Sequence, residues 1–473
     1  MRHLISIAFF LIITIPTFAQ QKLKIITTTE KELWKTSETA TWISAQKNSD
    51  VIIKSSDHLQ TIEGFGVCFN EMGWLSLNAL NVADRKSIMK DLFQKNEGLN
   101  LNVCRMPIGA NDFSRDWYSY NETDQDFKMK NFSISNDLQT LVPFIKEAKQ
   151  YAPDLKIWAS PWSPPSWLKW NKNYACSMSD GKDKRYGNSL TTNKQGKEGT
   201  NMFIMEDSYL KAYSLYFKKF IKAYRSEGIK ISSVMPQNEF NSCQIFPSCT
   251  WTASGLSLFI GKYLGPTMKK QKVEIMFGTM ERPNEALVDS VLKDKLSGQY
   301  INGVGFQWGG KDAIQGIHTR YPDLKLYQTE QECGDGKNEW TFSKYAWTLM
   351  KHYINSGANA YMYWNLALEE GGISRWGWHQ NSLVSVNKEA KTFRYNYDYY
   401  VLKHVSNFVH PGAKLLKTSG EFTNLLAFKN PDNSLIIIAQ NDKSVDEKIS
   451  INIDGKNLSL LLKADSFNTL KME

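Results

Sequence analysis

The feature that most limits what this chain can fold into is a series of eight short β-rich runs through its middle: residues 64–69, 101–106, 156–160, 232–236, 273–277, 303–307, 324–329 and 358–364. Amphipathic stretches separate them, and that alternation specifies parallel strands joined by helical crossovers. The stretch 207–227 shows the helical part clearly, because Tyr209, Tyr213, Tyr216, Phe217, Phe220 and Tyr224 recur at helical spacing as a packing stripe. Eight strand-helix units fit a closed (β/α)8 barrel better than an open doubly wound sheet, and no glycine-rich phosphate loop follows the first run.

The chain ends read differently. From about residue 408 the runs 424–428, 435–440, 448–453 and 458–462 alternate with Pro431-Asp432-Asn433 and Asp454-Gly455 turns, the pattern of an antiparallel β domain. Residues 23–55 are also strand-rich and are expected to join it. The expected fold is therefore α/β: a (β/α)8 TIM barrel with an antiparallel β-sandwich built from both chain ends. The expected divisions are 1–19 as a signal peptide, 20–55 as N-terminal sandwich strands, 56–405 as the barrel and 406–473 as the C-terminal sandwich. Residues 171–201 form a long polar insertion after the third strand, where a barrel loop overhangs the catalytic face as a rim or a lid.

The first residues explain the expected leader. Arg2 precedes an apolar run over residues 4–18, which closes on Thr17-Phe18-Ala19, the n-region, h-region and small-x-small pattern of a cleaved signal peptide. The mature chain is expected to begin near Gln20 and to be exported, to the periplasm or beyond. No later stretch is long and apolar enough for a membrane span. Removing Arg2 from 57 basic residues leaves 56 against 48 acidic ones, a net charge of +8 spread along the chain. Without a basic stripe or motif, that charge does not point to nucleic acid.

Hydrophobic residues at 42% exclude a disordered chain, and the aromatic content of 13% exceeds what a core usually needs; flat rings with polar edges suit sugar faces. Six cysteines cannot scaffold a chain this long. Cys68, Cys104 and Cys333 sit in or beside apolar runs as small buried hydrophobes. Cys243 and Cys249 could close a small ring, with Cys176 as a competing partner. No Cys-x-x-Cys or His-x-x-x-His pair occurs, so no metal site is expected.

In such a barrel the reactive groups follow the strand ends. The fourth strand ends in Pro236-Gln237-Asn238-Glu239 and the seventh in Tyr327-Gln328-Thr329-Glu330, each placing a carboxylate behind an apolar strand, where it is costly without a task. Paired carboxylates are what glycoside hydrolysis needs: one donates a proton to the leaving oxygen, and the other attacks the anomeric carbon or activates water. Arg105 at the end of the second strand is placed to keep one of them ionised. Asn238 can bond a sugar hydroxyl beside the reacting carbon.

These residues resemble clan A glycoside hydrolases, and the wider set resembles glycoside hydrolase family 30, which includes lysosomal glucosylceramidase and microbial β-1,6-glucanases. The resemblance rests on Gly64-Phe65-Gly66, on Arg105-Met106-Pro107-Ile108-Gly109-Ala110-Asn111-Asp112-Phe113-Ser114, on Ser160-Pro161-Trp162-Ser163-Pro164-Pro165, on Gln237-Asn238-Glu239, on Thr329-Glu330, and on Trp364-Asn365-Leu366-Ala367-Leu368 followed by Gly371-Gly372. It implies Glu239 as acid/base, Glu330 as nucleophile, and Arg105, Asp112, Trp162, Asn238 and Trp364 as subsite contacts. It further implies retention of configuration with carboxyls ~5 to 5.5 Å apart, no metal or organic cofactor, and a poly- or oligosaccharide as the partner of a monomeric enzyme.

Two departures bear on substrate. Glucosylceramidase-like members carry a His-Trp-Tyr run where this chain has Gln307-Trp308-Gly309, which suggests a more open subsite. Glu332, two residues beyond Glu330, is a rival nucleophile if the strand continues. The segments Asn238-Glu239-Phe240-Asn241 and Glu332-Cys333-Gly334-Asp335-Gly336 look more like the bacterial β-1,6-glucanase branch. Trp162, Trp308, Trp364, Trp376 and Trp378 are candidate sugar platforms. The expected activity is retaining hydrolysis of β-1,6-glucan. A β-glucosidase or glucosylceramidase-like exo-enzyme is the second reading, and a non-catalytic glycan-binding protein is the reading from another class.

Overall fold

A computed structural model describes residues 22–44, 48–179 and 187–473; the expected leader 1–19 and part of the 171–201 insertion lie outside them. All eight expected parallel strands are present: β1 (Gly64–Cys68), β2 (Val103–Pro107), β3 (Lys156–Ser160), β4 (Ile231–Val234), β5 (Glu274–Met280), β6 (Ile301–Gln307), β7 (Lys325–Glu330) and β8 (Ala360–Asn365). They close in sequence order, with β8 pairing to β1 in parallel. Their residues are buried on both faces, as a parallel sheet under helices requires. A layer of Val103, Trp158, Met235, Met276, Tyr327, Ala360 and Met362 fills the interior. Gly66 permits the tight closure of β1 on β2, because a Cβ there would fall 1.6 Å from the Val103 carbonyl oxygen.

The helix Asp207–Ser226 buries Tyr213, Tyr216, Phe217, Phe220 and Tyr224, the expected packing stripe. After β8 the chain adds a small sheet that the sequence pattern did not suggest, Ala367–Glu369, Val384–Asn387 and Thr392–Tyr395. Its first connection carries Trp376 and Trp378 over the barrel mouth.

Both chain ends meet in one second sheet, which runs in order Lys22–Thr29, Lys35–Ile43, Lys456–Leu462, Glu447–Ile453, Val51–Thr61, Lys414–Ser419, Leu425–Lys429, Leu435–Asn441 and Ser466–Met472, and closes on Lys22–Thr29. Its core holds Ile25, Val51, Ile53, Ile437, Ile449, Ile451, Leu458 and Leu470. Two features differ from expectation. The sheet is not wholly antiparallel, because Val51–Thr61 runs parallel to Glu447–Ile453. These strands come from opposite chain ends, so no hairpin fixes their relative direction. The same strand also continues past the expected boundary at residue 55, pairing Thr61 with Lys414. Among the described residues no helix is long and apolar enough to cross a membrane.

Candidate active site

The barrel mouth is organised around Arg105, which β2 places with no solvent exposure. A charge so buried needs partners, and each guanidinium nitrogen has one. Nη1 donates to Glu330 Oε2 at 2.5 Å, Nη2 to Asn238 Oδ1 at 2.5 Å and to Ser160 Oγ at 2.9 Å, and Nε to Ser160 Oγ at 3.2 Å. The faces of Trp162 and Trp158 lie 4.1 and 5.0 Å from the guanidinium carbon, with Trp364 at 5.7 Å. One arginine thus ties the ends of β2, β3 and β7 to the segment after β4.

Gln307, the last residue of β6, completes the network. Its amide nitrogen donates to Asn238 Oδ1 at 2.7 Å, to Glu330 Oε2 at 3.0 Å and to Thr279 Oγ1 at 3.1 Å. The backbone carbonyl of Gln307 is itself held by the Tyr353 hydroxyl. Thr279 on β5 donates to Asn238 Oδ1 at 3.0 Å and accepts from the Glu239 backbone N–H at 3.1 Å. Asn238 Oδ1 therefore accepts three bonds, which fixes the amide and identifies its nitrogen as the donor left for a ligand. The donors to Glu330 converge on Oε2, and Oε1 takes part in none of these bonds.

Three carboxyl groups share this buried space and their environments separate them. Burial pushes Glu330 up to about 6, while the charge and hydrogen bond of Arg105 pull the other way. Burial and the nearby Glu330 raise Asp112 to about 8, and its Oδ1 has no hydrogen-bond partner. Burial, Glu330 and Glu281 push Glu239 well above the carboxylate range, and its Oε2 is buried without a partner. Glu239 also sits in the left-handed backbone region at φ 47°, a conformation that costs a non-glycine residue about 1–3 kcal/mol and concentrates at functional sites. The Arg105 charge thus favours the ionised form of Glu330, while burial beside Glu330 favours the protonated forms of Asp112 and Glu239.

Asp112, Glu239 and Glu330 open into a cleft of about 300 Å³ that is also lined by Gln244, Phe246, Glu281, Trp308, Glu332 and Trp378. Trp308 is half-buried at its wall, and Trp378, 39% exposed, meets Phe246 edge to face at the rim. The other three tryptophans do not serve as open platforms. Trp162 and Trp364 are stacked 5.4 Å apart and only 1% exposed, with their faces taken up by each other and by Arg105. Trp376 is buried against Trp117 at 5.0 Å. Trp364 and Trp376 can still present their ring N–H groups, both buried without partners. The rival Glu332 stands apart from the network: β7 ends at Glu330, and Glu332 accepts the Tyr345 hydroxyl at 2.5 Å.

The structure adds residues that the sequence pattern did not mark. Thr279 and Glu281 lie at the end of β5, which runs to Met280 instead of stopping at residue 277. Glu281 is paired with Arg282, which also reaches Glu198 at 3.1 Å. The described part of the 171–201 insertion packs on the loop after β4, with Asn188 Nδ2 donating to the Ile245 carbonyl at 2.9 Å. All six cysteines are free, so neither possible bridge is formed. Cys68, Cys104 and Cys333 are buried.

Comparison with known proteins agrees with this geometry. Residues 62–409 match the glycosyl hydrolase family 30 TIM-barrel domain and residues 412–470 match the family's beta sandwich domain. The lysosomal acid glucosylceramidase of Mus musculus is 26% identical over 424 residues, covering 83% of this chain and 77% of that protein. Endo-1,6-beta-D-glucanase neg1 of Aspergillus fumigatus is 26% identical over 430 residues, covering 84% and 82%. The solved structure of the endo-beta1,6-glucanase BT3312 superposes with a TM-score of 0.79 at 24% identity, covering 95% of this chain and 99% of that one. With both halves of its fold matched across nearly all the described residues, the chain belongs to glycosyl hydrolase family 30.

Proposed function

We propose that this glycosidase is a retaining enzyme that cleaves β-1,6-linked glucan within the chain and acts outside the cytoplasm. The observation that carries the reaction is the division of labour between two buried carboxyls: Glu330, charge-paired with Arg105 at 2.5 Å, and Glu239, whose unpartnered Oε2 lies in a site that favours the protonated form.

In this reading Glu330 Oε1 attacks the anomeric carbon while Glu239 gives its proton to the departing glycosidic oxygen. Attack consumes the negative charge on Glu330, which is one cause of the raised Glu239. Its loss lowers the proton affinity of Glu239, so Glu239 returns as the base that deprotonates water in the second step. Asn238 Nδ2 meets the hydroxyl next to the reacting carbon, and Asp112, protonated at neutral pH, donates to another.

Two observations support the polymer. The cleft is open to solvent at Trp378, and named relatives include endo-1,6-beta-D-glucanases. The second reading, a glucosylceramidase-like exo-enzyme, draws on the mouse relative. Gln307 in place of an imidazole favours the first. Export rests on the apolar run at residues 4–18.

The deciding experiment follows product lengths and anomeric configuration for β-1,6-, β-1,3- and β-1,4-glucans, xylan and an aryl β-glucoside, comparing wild type with Glu330→Ala and Glu239→Gln. Oligosaccharides from β-1,6-glucan with the β-anomer formed first, lost in both variants, are expected. Release of aryl glucoside alone moves the assignment to the exo-enzyme. Binding without hydrolysis of any substrate leaves a glycan receptor.

A further inference from the structure

Outside the carboxylate network, the most unusual grouping of reactive side chains is a cysteine trio behind the cleft wall. Cys176 lies in the loop after β3, and Cys243 and Cys249 lie in the loop after β4. The two loops are zipped together. Ala175 pairs with Pro247 in an antiparallel bridge, and the backbone N–H groups of Cys176 and Ser177 donate to the Gln244 carbonyl at 3.0 and 2.8 Å. Ser177 Oγ reaches both the carbonyl oxygen and the sulfur of Cys243, at 3.1 and 3.2 Å. The buried Lys169 clamps the same junction by donating to the Tyr174 and Ser248 carbonyls at 2.8 and 2.6 Å. This frame brings Cys176 and Cys243 together, with Ser177, next to Cys176, touching the Cys243 sulfur, and each thiol perturbs the other.

Cys249 is fully buried in the same core, its thiol 3.9 Å from the Thr250 carbonyl and within the field of Lys169 and Cys176. The pairing of Cys176 and Ser177 with Gln244, the contact of Ser177 with the Cys243 sulfur and the partial exposure of Cys243 favour Cys243 over Cys249 as the partner of Cys176. We infer that Cys176 and Cys243 are a redox-active pair that closes to a disulfide and locks the loop after β4, with Gln244 and Phe246, against the loop after β3.

The chemistry suits a pair that reacts together. Burial raises the Cys176 thiol, but the Cys243 hydrogen bond, the Lys169 ammonium and the Ser248 hydroxyl outweigh it and lower it overall. Hydrogen bonding to Cys176 and burial push Cys243 the other way. The thiolate is the attacking form in disulfide exchange. Cys243 is only partly buried, which gives a small-molecule disulfide access. Two S–H bonds break and one Sγ–Sγ bond forms; the two electrons and two protons pass to the external disulfide, which leaves as two thiols. Loops already hydrogen-bonded to each other beside both cysteines bring the pair toward bonding geometry.

The test is independent of hydrolysis. The full chain is treated with oxidised glutathione, then denatured and alkylated, and its thiols are counted and its peptides mapped. The free thiols should fall from six to four, with Cys176 linked to Cys243. The same link should form in Cys249→Ser and be absent from Cys243→Ser and Cys176→Ser. The oxidised wild type should melt at a higher temperature than the reduced form, and that difference should vanish in Cys243→Ser. Six remaining thiols, a link through Cys249, or a stable glutathione adduct on Cys243 without a bridge would each overturn the inference.

Discussion

At the scale of the residue, reactivity follows from how few donors are spread over how many buried acceptors. Arg105 and Gln307 both reach Glu330 Oε2, so the carboxylate stays the most acidic of the three buried acids although burial raises it to about 6. Gln307→Leu removes an uncharged donor to a charged acceptor, an interaction of about 1.5–3 kcal/mol. The expected result is a fall in kcat/KM of about 10- to 150-fold at neutral pH, with the acid limb of the pH profile moved upward because the ionised form of Glu330 has lost a partner. An unchanged acid limb would show that Gln307 does not tune Glu330. The wild-type profile should fall below about pH 6 as Glu330 gains its proton. It should fall again on the alkaline side as Asp112, raised to about 8, and Glu239 lose their protons. Trp378 stands exposed at the rim of the cleft. Trp378→Ala should raise KM for long glucans by about 2- to 10-fold, the weight of one aromatic contact, with kcat unchanged; equal losses on short and long substrates would exclude a rim platform.

At the scale of the element, single side chains hold pieces of different sheets in register. His404, on the helix Tyr397–Ser406, is fully buried between the sheets, with Nδ1 2.8 Å from Thr469 Oγ1 and Nε2 2.8 Å from Thr28 Oγ1. Thr469 already donates to the His404 carbonyl at 2.9 Å, so it accepts from Nδ1–H and Thr28 donates to Nε2. The arrangement requires a neutral ring, and burial followed by the Lys403 charge lowers its pKa to about 3. The unfolded chain binds a proton at about 6.5, so between these values the unfolded state carries more protons and stability falls as pH falls. Wild type should therefore lose melting temperature between pH 6.5 and 3 more steeply than His404→Gln. The variant should already be less stable at pH 7, by about 1–3 kcal/mol for the disturbed bonds. Parallel slopes would mean that the imidazole does not titrate across unfolding.

At the scale of the whole molecule, the barrel and the second sheet share polar contacts that neither can replace alone. Trp340 Nε1 and Lys344 Nζ both reach Asp465, at 2.8 and 3.1 Å, and Trp347 Nε1 reaches Asn424 at 2.9 Å. The helix Trp340–Asn355, which carries these side chains, follows β7 and its Glu330. A fragment limited to residues 62–409 exposes Trp347 and loses every partner just named. It should be insoluble or melt well below the full chain, whereas a soluble fragment with wild-type activity would show the second sheet to be an independent appendage.

The barrel architecture was legible in the sequence, and so were two glutamates that come to share the cleft at its mouth. Strand-helix alternation is a local, periodic signal that repeats eight times, and a glutamate behind an apolar strand stands out wherever burial makes charge costly. Strand ends are weaker signals, so stopping the fifth run at residue 277 concealed Thr279 and Glu281, while β5 continues to Met280. Direction across the chain ends was likewise not encoded locally, which is why the parallel pairing of Val51–Thr61 with Glu447–Ile453 emerges only in three dimensions. Tertiary structure alone decided which ring faces are open. Trp162 and Trp364 have the composition of sugar platforms, yet a buried guanidinium must be shielded on its faces and bonded at its edges, and Arg105 claims both rings. The same holds for Glu332. Spacing made it a candidate, and the Tyr345 hydroxyl holds it outside the carboxylate network.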